Sequence, residues 1–316
     1  MKKVLVTGAG GFVGSHLIRV LLAQKRYEIF AAVYKSTSDI AALLPEDHIV
    51  EGDLTDAHFT DKLIKQTTPE IVFHLAALSV VHGSDKQATT VMNANTTLQY
   101  NLLEAIKNYA PKARFLAICS ANEYGLVADT TKPINEQTPL RPLNPYAVSK
   151  VTQEMLSLQY HLAYGLDVVI LRPFNHTGPG QTIDFVIPAL AKQFVEIAKG
   201  KRSPTIEVGN VDNTRDYTDV SDMVEAYVLA SEKGKSGEIY NIGTGRGVTV
   251  GELITMFKKI TKLDPKIVVK DEIVRLADVP VLICDATKFR NDTKWSPKVP
   301  LEKTLQQVYT YWEGIL

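Results

Sequence analysis

The sequence is poor in cysteine, has no long apolar run and carries no excess of either charge. Two cysteines in 316 residues exclude a disulfide framework and a cysteine-rich zinc site. Both, Cys119 and Cys284, lie inside apolar runs, which fits a reducing compartment. No stretch approaches the roughly 18 to 20 apolar residues of a membrane span. The opening Met1-Lys2-Lys3-Val4 is basic but reaches Gly8 before an apolar region of signal-peptide length develops. The expectation is a cytoplasmic protein with no membrane partner. Lys and Arg, 35 together, balance 35 Asp and Glu, so nucleic acid is not an expected partner either. None of the seven histidines sits in an HExxH-type pattern, and no metal is expected. The absence of internal repeats and low-complexity segments excludes solenoids and disordered tails.

What is present is a chain long enough for a large α/β domain with a smaller companion. Short β-rich runs alternate with helical patterns through the first half. Val4–Val6, Glu28–Tyr34, His48–Val50, Ile71–Ala76, Phe115–Cys119 and Val168–Leu171 read as strands. Phe12–Leu22, a short helix ending at Leu63 to Gln66, Leu98–Tyr109 and Ala147–Tyr164 read as helices. Apolar strands separated by helices predict a doubly wound, Rossmann-type parallel sheet covered on both faces. After Arg172 the rhythm changes. Helices are expected near Ile187–Lys199, Val220–Ser231, Val250–Thr261 and Leu301–Trp312, and strands at Thr205–Val208 and Glu238–Asn241, with Val279–Cys284 apolar again. The expected division is interleaved. Residues 1–172 plus about 211–246 form the cofactor domain, and about 173–210 plus 247–316 form a smaller α/β substrate domain.

Thr7-Gly8-Ala9-Gly10-Gly11-Phe12-Val13-Gly14 falls at the first strand-to-helix turn. Glycines at 8, 11 and 14 permit a tight turn, close approach to a pyrophosphate and tight helix–sheet packing. Phe12 and Val13 open a helix whose free N–H groups and positive dipole end suit phosphate. The spacing is GxxGxxG, and a glycine turn without ligand is the bland alternative. No Lys-Ser/Thr pair follows, so phosphoryl transfer is not expected. At the end of the second strand an NAD site places Asp or Glu on the ribose hydroxyls. Here the run is Val33-Tyr34-Lys35-Ser36, with no carboxylate before Asp39. Lys35 beside Tyr34 suits a 2′-phosphate, which points to NADPH, with NADH as the alternative. Asp53 and Leu54 follow the third strand where an adenine amino group needs an acceptor. The plain alternative is that Asp53 caps the helix near Ala57.

Asn144-Pro145-Tyr146-Ala147-Val148-Ser149-Lys150 opens the long helix with an N-cap and a first-turn proline. Tyr146 and Lys150 are four apart and share a face. The ammonium is expected to draw the phenol down toward working pH, and such a tyrosine can protonate an alkoxide. Ser120 follows the fifth strand, at the carboxyl edge of the sheet where ligands bind. It can hydrogen-bond a substrate oxygen, or simply serve a local turn.

These pieces resemble the extended short-chain dehydrogenases/reductases that act on nucleotide sugars. The matching segments are TGAGGFVG, GDL at 52–54, HLAA at 74–77, SANEYG at 120–125, YAVSK at 146–150 and RPFNHTGPGQ at 172–181. The resemblance implies Ser120, Tyr146 and Lys150 as the catalytic triad, with Asn93 supporting them. It also implies that Leu75, Ala76, Ala77, Ser79, Pro173 and Phe174 line the cofactor. VGN at 208–210, TRDYTDV at 214–220 and RLADVP at 275–280 are similar to enzymes of GDP-mannose-derived sugars. Asn175, Lys192, Arg215 and Arg275 match positions around a diphosphate and nucleoside, and Asp278 an acceptor for ribose or base. Lys192 is as readily read as a solvated helix lysine, and Asp278 as a turn residue before Val279-Pro280.

Two activities compete within this branch. A 4,6-dehydratase removes a proton at C5 and expels water from C6, which requires an extra acid/base group. Relatives that dehydrate place Glu two residues after the active-site hydroxyl. Here that residue is Asn122, with Glu123 displaced by one. The resemblance therefore implies reduction of the C4 ketone of GDP-4-dehydro-6-deoxy-D-mannose to GDP-D-rhamnose. GDP-mannose 4,6-dehydration and NAD-dependent 4-epimerisation are the enzymatic alternatives. A non-catalytic nucleotide-binding regulator is the rival from another class, and the presence of both Tyr146 and Lys150 argues against it. Relatives pair through the Leu98–Tyr109 and Tyr146 helices, so a homodimer is expected, with Leu156, Tyr160 and Tyr164 on the outer faces.

Overall fold

The computed structural model describes residues 1–35, 40–79, 87–270 and 279–316. In chain order the elements are β1 (Lys2–Thr7), α1 (Phe12–Ala23), β2 (Tyr27–Val33), β3 (Ile49–Glu51), α2 (Ala57–Thr67), β4 (Ile71–His74), α3 (Ala88–Tyr109), β5 (Arg114–Ile118), α4 (Pro145–Tyr164) and β6 (Asp167–Pro173). There follow β7 (His176–Thr177), α5 (Val186–Ala198), β8 (Thr205–Val208), β9 (Thr214–Asp216), β10 (Thr218–Asp219), α6 (Val220–Lys233), β11 (Ile239–Ile242), β12 (Gly247–Thr249), α7 (Val250–Thr261), β13 (Lys266–Val269), β14 (Val281–Leu282), α8 (Thr287–Thr293) and α9 (Leu301–Ile315).

Among the described residues the main sheet has seven strands in the order β11-β6-β5-β4-β1-β2-β3, and every pairing in it is parallel. This is the Rossmann arrangement. The order reverses between β1 and β4, which opens a ligand crevice at their carboxyl ends. The strands are apolar on both faces because side chains alternate. Val4 and Val6 pack toward α1 and α6 with Leu17, Ile18, Leu21, Val224 and Tyr227. Leu5 packs the other way, with Leu63 and Ile64 of α2, Leu102 and Ile106 of α3 and Tyr160 of α4. A third core joins α5, α7 and α9 through Phe194, Phe257 and Val308. Phe289 and Trp295, from the C-terminal stretch, insert into the first core, beside the sheet.

Helix boundaries in the second half follow the sequence periodicity closely, and α7 spans the expected residues. The main difference is α3, which starts ten residues before the expected Leu98. That first stretch, ATTVMNANTT, holds weak helix formers. Its buried side chains, Val91 and Asn95, hold it in place, Asn95 through the tertiary hydrogen bonds described below. The strand expected to reach Ala76 stops at His74. There the chain leaves the sheet so that Ala76 N–H donates to Thr7 Oγ1 at 3.3 Å. Strand β13, parallel to β8, and the short strands β9, β12 and β14 were not expected; β9 is central in their three-stranded sheet. No described helix is long and apolar enough to cross a membrane.

Candidate active site

The glycine turn lies between β1 and α1. Gly8 has φ +67, and a Cβ there would meet Ala76 N at 2.8 Å. At Gly14 a Cβ would meet Gly8 O at 2.4 Å and Ala9 Cα at 2.7 Å. Both contacts are with backbone, which cannot retreat, so the helix start lies directly against the strand. Gly11 caps α1 without a side-chain hydrogen bond. The N–H groups of Phe12, Val13 and Gly14 therefore have no cap of their own and point a partial positive charge out of the helix. That cradle fits a dinucleotide pyrophosphate. Phe12 turns its ring to His176, stacked at 6.3 Å.

At the far end of the crevice, Lys35 has φ +56 and its Nζ lies 4.7 Å from the Tyr34 ring centre. Contact with Tyr34 comes first and the charge of Asp53 adds to it, both raising the Lys35 pKa. The lysine and Asp53 thus face the same space. Asp53 Oδ1 accepts from Thr55 N–H and Thr55 Oγ1, each at 2.8 Å. The cap of α2 is Asp56 instead, accepting from His58 N–H at 2.8 Å. Leu54 is buried beneath, in the α2–α3 core. Leu75, Ala76 and Ala77 are half-buried along the edge after β4, and Ser79 is exposed. Pro173 is buried at the end of β6, with Phe174 packed on Tyr124 at 6.2 Å.

Ser120, Tyr146 and Lys150 come together at the carboxyl end of β5. They are 8%, 8% and 4% exposed, so chemistry here is shielded from water. Ser120 caps the short turn Ala121–Tyr124, and its Oγ accepts from Asn122 N–H at 3.2 Å. The Ser120 side chain is near enough to the Tyr146 phenol to temper the rise of its pKa. Asn144 caps α4, accepting from Ala147 N–H at 2.8 Å. Lys150 Nζ donates to Ile118 O at 2.8 Å, which leaves two of its three protons for a ligand.

The electrostatics differ from the sequence expectation. Burial raises the Tyr146 phenol above its ordinary range, the Ser120 hydroxyl partly opposing it. Burial also lowers the Lys150 ammonium. Desolvation outweighs any pull of the ammonium on the phenol, because both groups lie in a dry setting where charge is costly. The phenol is therefore protonated at neutral pH, as a proton donor must be.

The two neighbours of the turn point apart. Asn122 is half-buried beside the Ser120 hydroxyl, whereas Glu123 is fully buried and accepts from Ser120 N–H at 2.8 Å. Of the two asparagines in NANTT, Asn93 is exposed on α3 and Asn95 is fully buried. Asn95 accepts from Leu78 N–H at 2.7 Å and donates to Ser149 Oγ at 2.9 Å. It thus ties the edge after β4 to α4. Residues two apart on a helix lie on nearly opposite sides, so only one of the pair can face α4, and polarity alone does not say which. His74, Thr7 and Gln99 also escaped the sequence reading. Thr7 Oγ1 lies 2.8 Å from His74 Nδ1, and the ring's other face meets Gln99.

The substrate-side residues are more dispersed. Asn175 is exposed after β6, and its carbonyl accepts from Thr218 N–H at 2.9 Å. Arg215 lies on β9, donating to Thr214 O at 2.9 Å. The neighbouring Asp216 anchors that strand through Thr244 N–H, Gly245 N–H and Cys284 N–H, at 2.9, 2.8 and 3.2 Å. Lys192 pairs with Glu196 one helical turn away at 3.6 Å. Arg275 and Asp278 lie outside the described residues, as does Asp39. One group of described residues has metal-ligand proximity, Cys119, Glu123 and Glu154 within 4.8 Å. The guanidinium of Arg172 already supplies the cation there, 2.5 Å from Glu154.

The outer face of α4 carries Val148, Met155 and Leu162, 39%, 44% and 74% exposed and seven apart. Tyr164 is exposed as expected, but Tyr160 is 3% exposed and Leu156 is half-buried. Helix phase turns those two toward α3 and the sheet.

The chain is similar to known proteins along its whole length. The sequence profile of the family described as GDP-mannose 4,6 dehydratase matches residues 5–308. GDP-6-deoxy-D-mannose reductase of Pseudomonas aeruginosa is 33% identical over 313 residues, covering 99% of this chain and 98% of that protein. GDP-6-deoxy-D-talose 4-dehydrogenase of Aggregatibacter actinomycetemcomitans is 32% identical over 290 residues, 92% and 90% of the two. The structure of RMD from Pseudomonas aeruginosa complexed with NADPH superposes with a TM-score of 0.88 at 31% identity, covering 100% of both chains.

Proposed function

Because the chain belongs to the GDP-mannose 4,6-dehydratase family, we propose that it is an oxidoreductase of that family and not a dehydratase. It reduces the C4 ketone of GDP-4-dehydro-6-deoxy-D-mannose to GDP-D-rhamnose with NADPH, NADH serving as the alternative cosubstrate. The carrying observation is the side chain beside the catalytic hydroxyl. Asn122 cannot titrate, and Glu123 is turned into the protein interior. Elimination across C5 and C6 lacks its second acid/base group, whereas ketone reduction needs one proton donor.

NADPH, when bound, supplies the hydride for C4. The open N–H groups of Phe12, Val13 and Gly14 receive its diphosphate. Lys35 and Asp53 meet the adenosine ribose end, and Leu75, Ala76, Ala77 and Pro173 line the path to the nicotinamide. Lys150 holds ribose hydroxyls with its two remaining protons. Ser120 keeps its hydroxyl oriented by accepting from Asn122 N–H and donates to the ketone oxygen. Tyr146 gives its phenolic proton to that oxygen as the negative charge develops. Arg215, with Asn175 and Lys192, faces the sugar diphosphate. The similarity to a GDP-6-deoxy-D-mannose reductase supports the GDP-sugar class. The Val148–Met155–Leu162 stripe supports a homodimer through α3 and α4.

Incubation with NADPH and the GDP-linked keto sugar should consume reduced cofactor, read by absorbance, and yield GDP-D-rhamnose. Silence in that assay together with conversion of GDP-mannose into a keto sugar would make the protein a dehydratase instead.

A further inference from the structure

Behind Ser120 lies a buried cluster with one cation and two acids. Glu123 and Glu154 are both 0% exposed and Arg172 is 3% exposed. Arg172, at the end of β6, donates to Glu154 of α4 through Nε and Nη2, at 2.7 and 2.5 Å. This bidentate pair neutralises itself. Its Nη1 donates to Tyr124 Oη at 2.8 Å, and Tyr124 donates to Asn241 Oδ1 at 2.7 Å. Nη1 also donates to Glu136 O at 3.4 Å, so the guanidinium hydrogen bonds are all made to groups other than Glu123.

Glu123 remains. Its Oε1 is used by the Ser120 amide. Its Oε2 lies 3.7 Å from Arg172 Nε, has no donor among the described residues and faces the Glu154 carboxyl. An anionic oxygen in that place would be a buried charge beside another carboxylate, with only a longer 3.7 Å ion pair to an Arg172 already bound to Glu154, which is costly. A proton on Oε2 resolves both problems, since the resulting O–H can donate to Glu154. The other ionisable groups facing this cluster are Cys119 at the end of β5, Tyr124 on the turn, and Tyr146 and Lys150 on α4. None of them supplies a donor to Oε2. Burial, then the charge of Glu154, push the Glu123 carboxyl well above the usual carboxylate range.

We propose that Glu123 is a positioning residue for the reduction, present as a neutral carboxylic acid that seats the Ser120 amide with one oxygen and shares a proton with Glu154 through the other. The inference rests on the reductase reading above. Ser120 sits on the turn after β5, and Tyr146 and Lys150 sit on α4. The Glu123–Glu154–Arg172 cluster is a buried polar tie between those two supports. It fixes where the serine hydroxyl stands relative to the phenol. A displacement of about 1 Å there is enough to cost on the order of 100-fold in rate.

The test is a pair of variants assayed for NADPH-dependent ketone reduction. Glu123→Leu should lower kcat by on the order of 100-fold while KM for NADPH stays unchanged. Glu123→Gln should recover most of that loss, because the amide accepts from Ser120 N–H and donates to Glu154 as the neutral acid does. A glutamine variant as slow as the leucine variant, with NADPH still bound, would show that the anion is required and overturn the proposal. Full activity in Glu123→Leu would overturn it equally. A second readout needs no turnover. The infrared difference between the wild-type protein and Glu123→Gln at neutral pH should contain the carbonyl stretch of a protonated carboxylic acid. Only carboxylate bands in that difference would refute the shared proton. If the wild-type protein itself leaves the keto sugar untouched, the reductase reading fails while the infrared result still decides the state of Glu123.

Discussion

His74 should make the stability of this protein fall on mild acidification. The ring is 2% exposed at the end of β4, and burial, then the nearby Lys150 charge, lower its pKa from 6.5 to about 3. Thr7 Oγ1 donates to Nδ1, while Nε2 and the nearby Gln99 Oε1 are both buried and have no hydrogen-bond partner among the described residues. The neutral ring accepts from the Thr7 hydroxyl, and a charge on it would be buried in a dry setting. In the unfolded chain His74 takes up a proton as pH drops through about 6.5, and the folded chain refuses it until about 3. A depressed folded pKa gives stability that is complete above the unfolded value and lost as pH falls toward the folded one. One proton corresponds to about 1.4 kcal/mol per pH unit, so the loss between pH 7 and pH 5 is about 2 kcal/mol from this residue alone. Urea unfolding at pH 7, 6 and 5 measures it directly when the wild-type protein is compared with His74→Gln, which cannot titrate. Burial also lowers the pKa of His176, but that histidine is present in both proteins and cancels. The variant should lose about 2 kcal/mol less than the wild type across that interval. Parallel stability curves would refute the reasoning and mean that His74 protonates in place.

Three further outcomes follow from the site. Tyr146→Phe should lower kcat by about 100- to 10,000-fold, with NADPH binding retained by fluorescence titration; undiminished turnover would remove the phenol from the mechanism. Lys35→Ala should raise KM for NADPH by about tenfold or more and leave NADH nearly unaffected, since only the former has a 2′-phosphate to lose. Met155→Glu, on the exposed stripe of α4, should shift the protein to monomers in sedimentation while NADPH binding persists; an unchanged mass would place any dimer contact elsewhere.

The first half of the fold is legible because its determinants are local. Val4-Leu5-Val6, the glycines at 8, 11 and 14 and the apolar runs at 28–33 and 71–74 have no reading but buried strand, tight turn and helix start. The Asn144-Pro145 start of α4 is equally plain, and Tyr146 and Lys150 are bound to share a face by the helical repeat alone. The early start of α3 was hidden, since Thr89, Thr90, Asn93, Thr96 and Thr97 are poor helix formers and the compensating tie to α4 is made by Asn95, through Ser149. The short strands β9, β12 and β14 were hidden because two or three residues carry no periodicity.

Residues near one another in the chain made the strands of the parallel sheet, the glycine turn and the shared face of Tyr146 and Lys150 legible, and the family resemblance added Ser120, 26 residues before Tyr146. Packing between distant segments decided the rest. Asn95 and not Asn93 turns inward because Leu78 and Ser149 offer it partners. Asn122 and Glu123, adjacent in the chain, part ways because Arg172 and Glu154, some thirty to fifty residues further on, make a pocket for only one of them. The phenol stays protonated because segments far from it in sequence exclude the water that would have stabilised its charge.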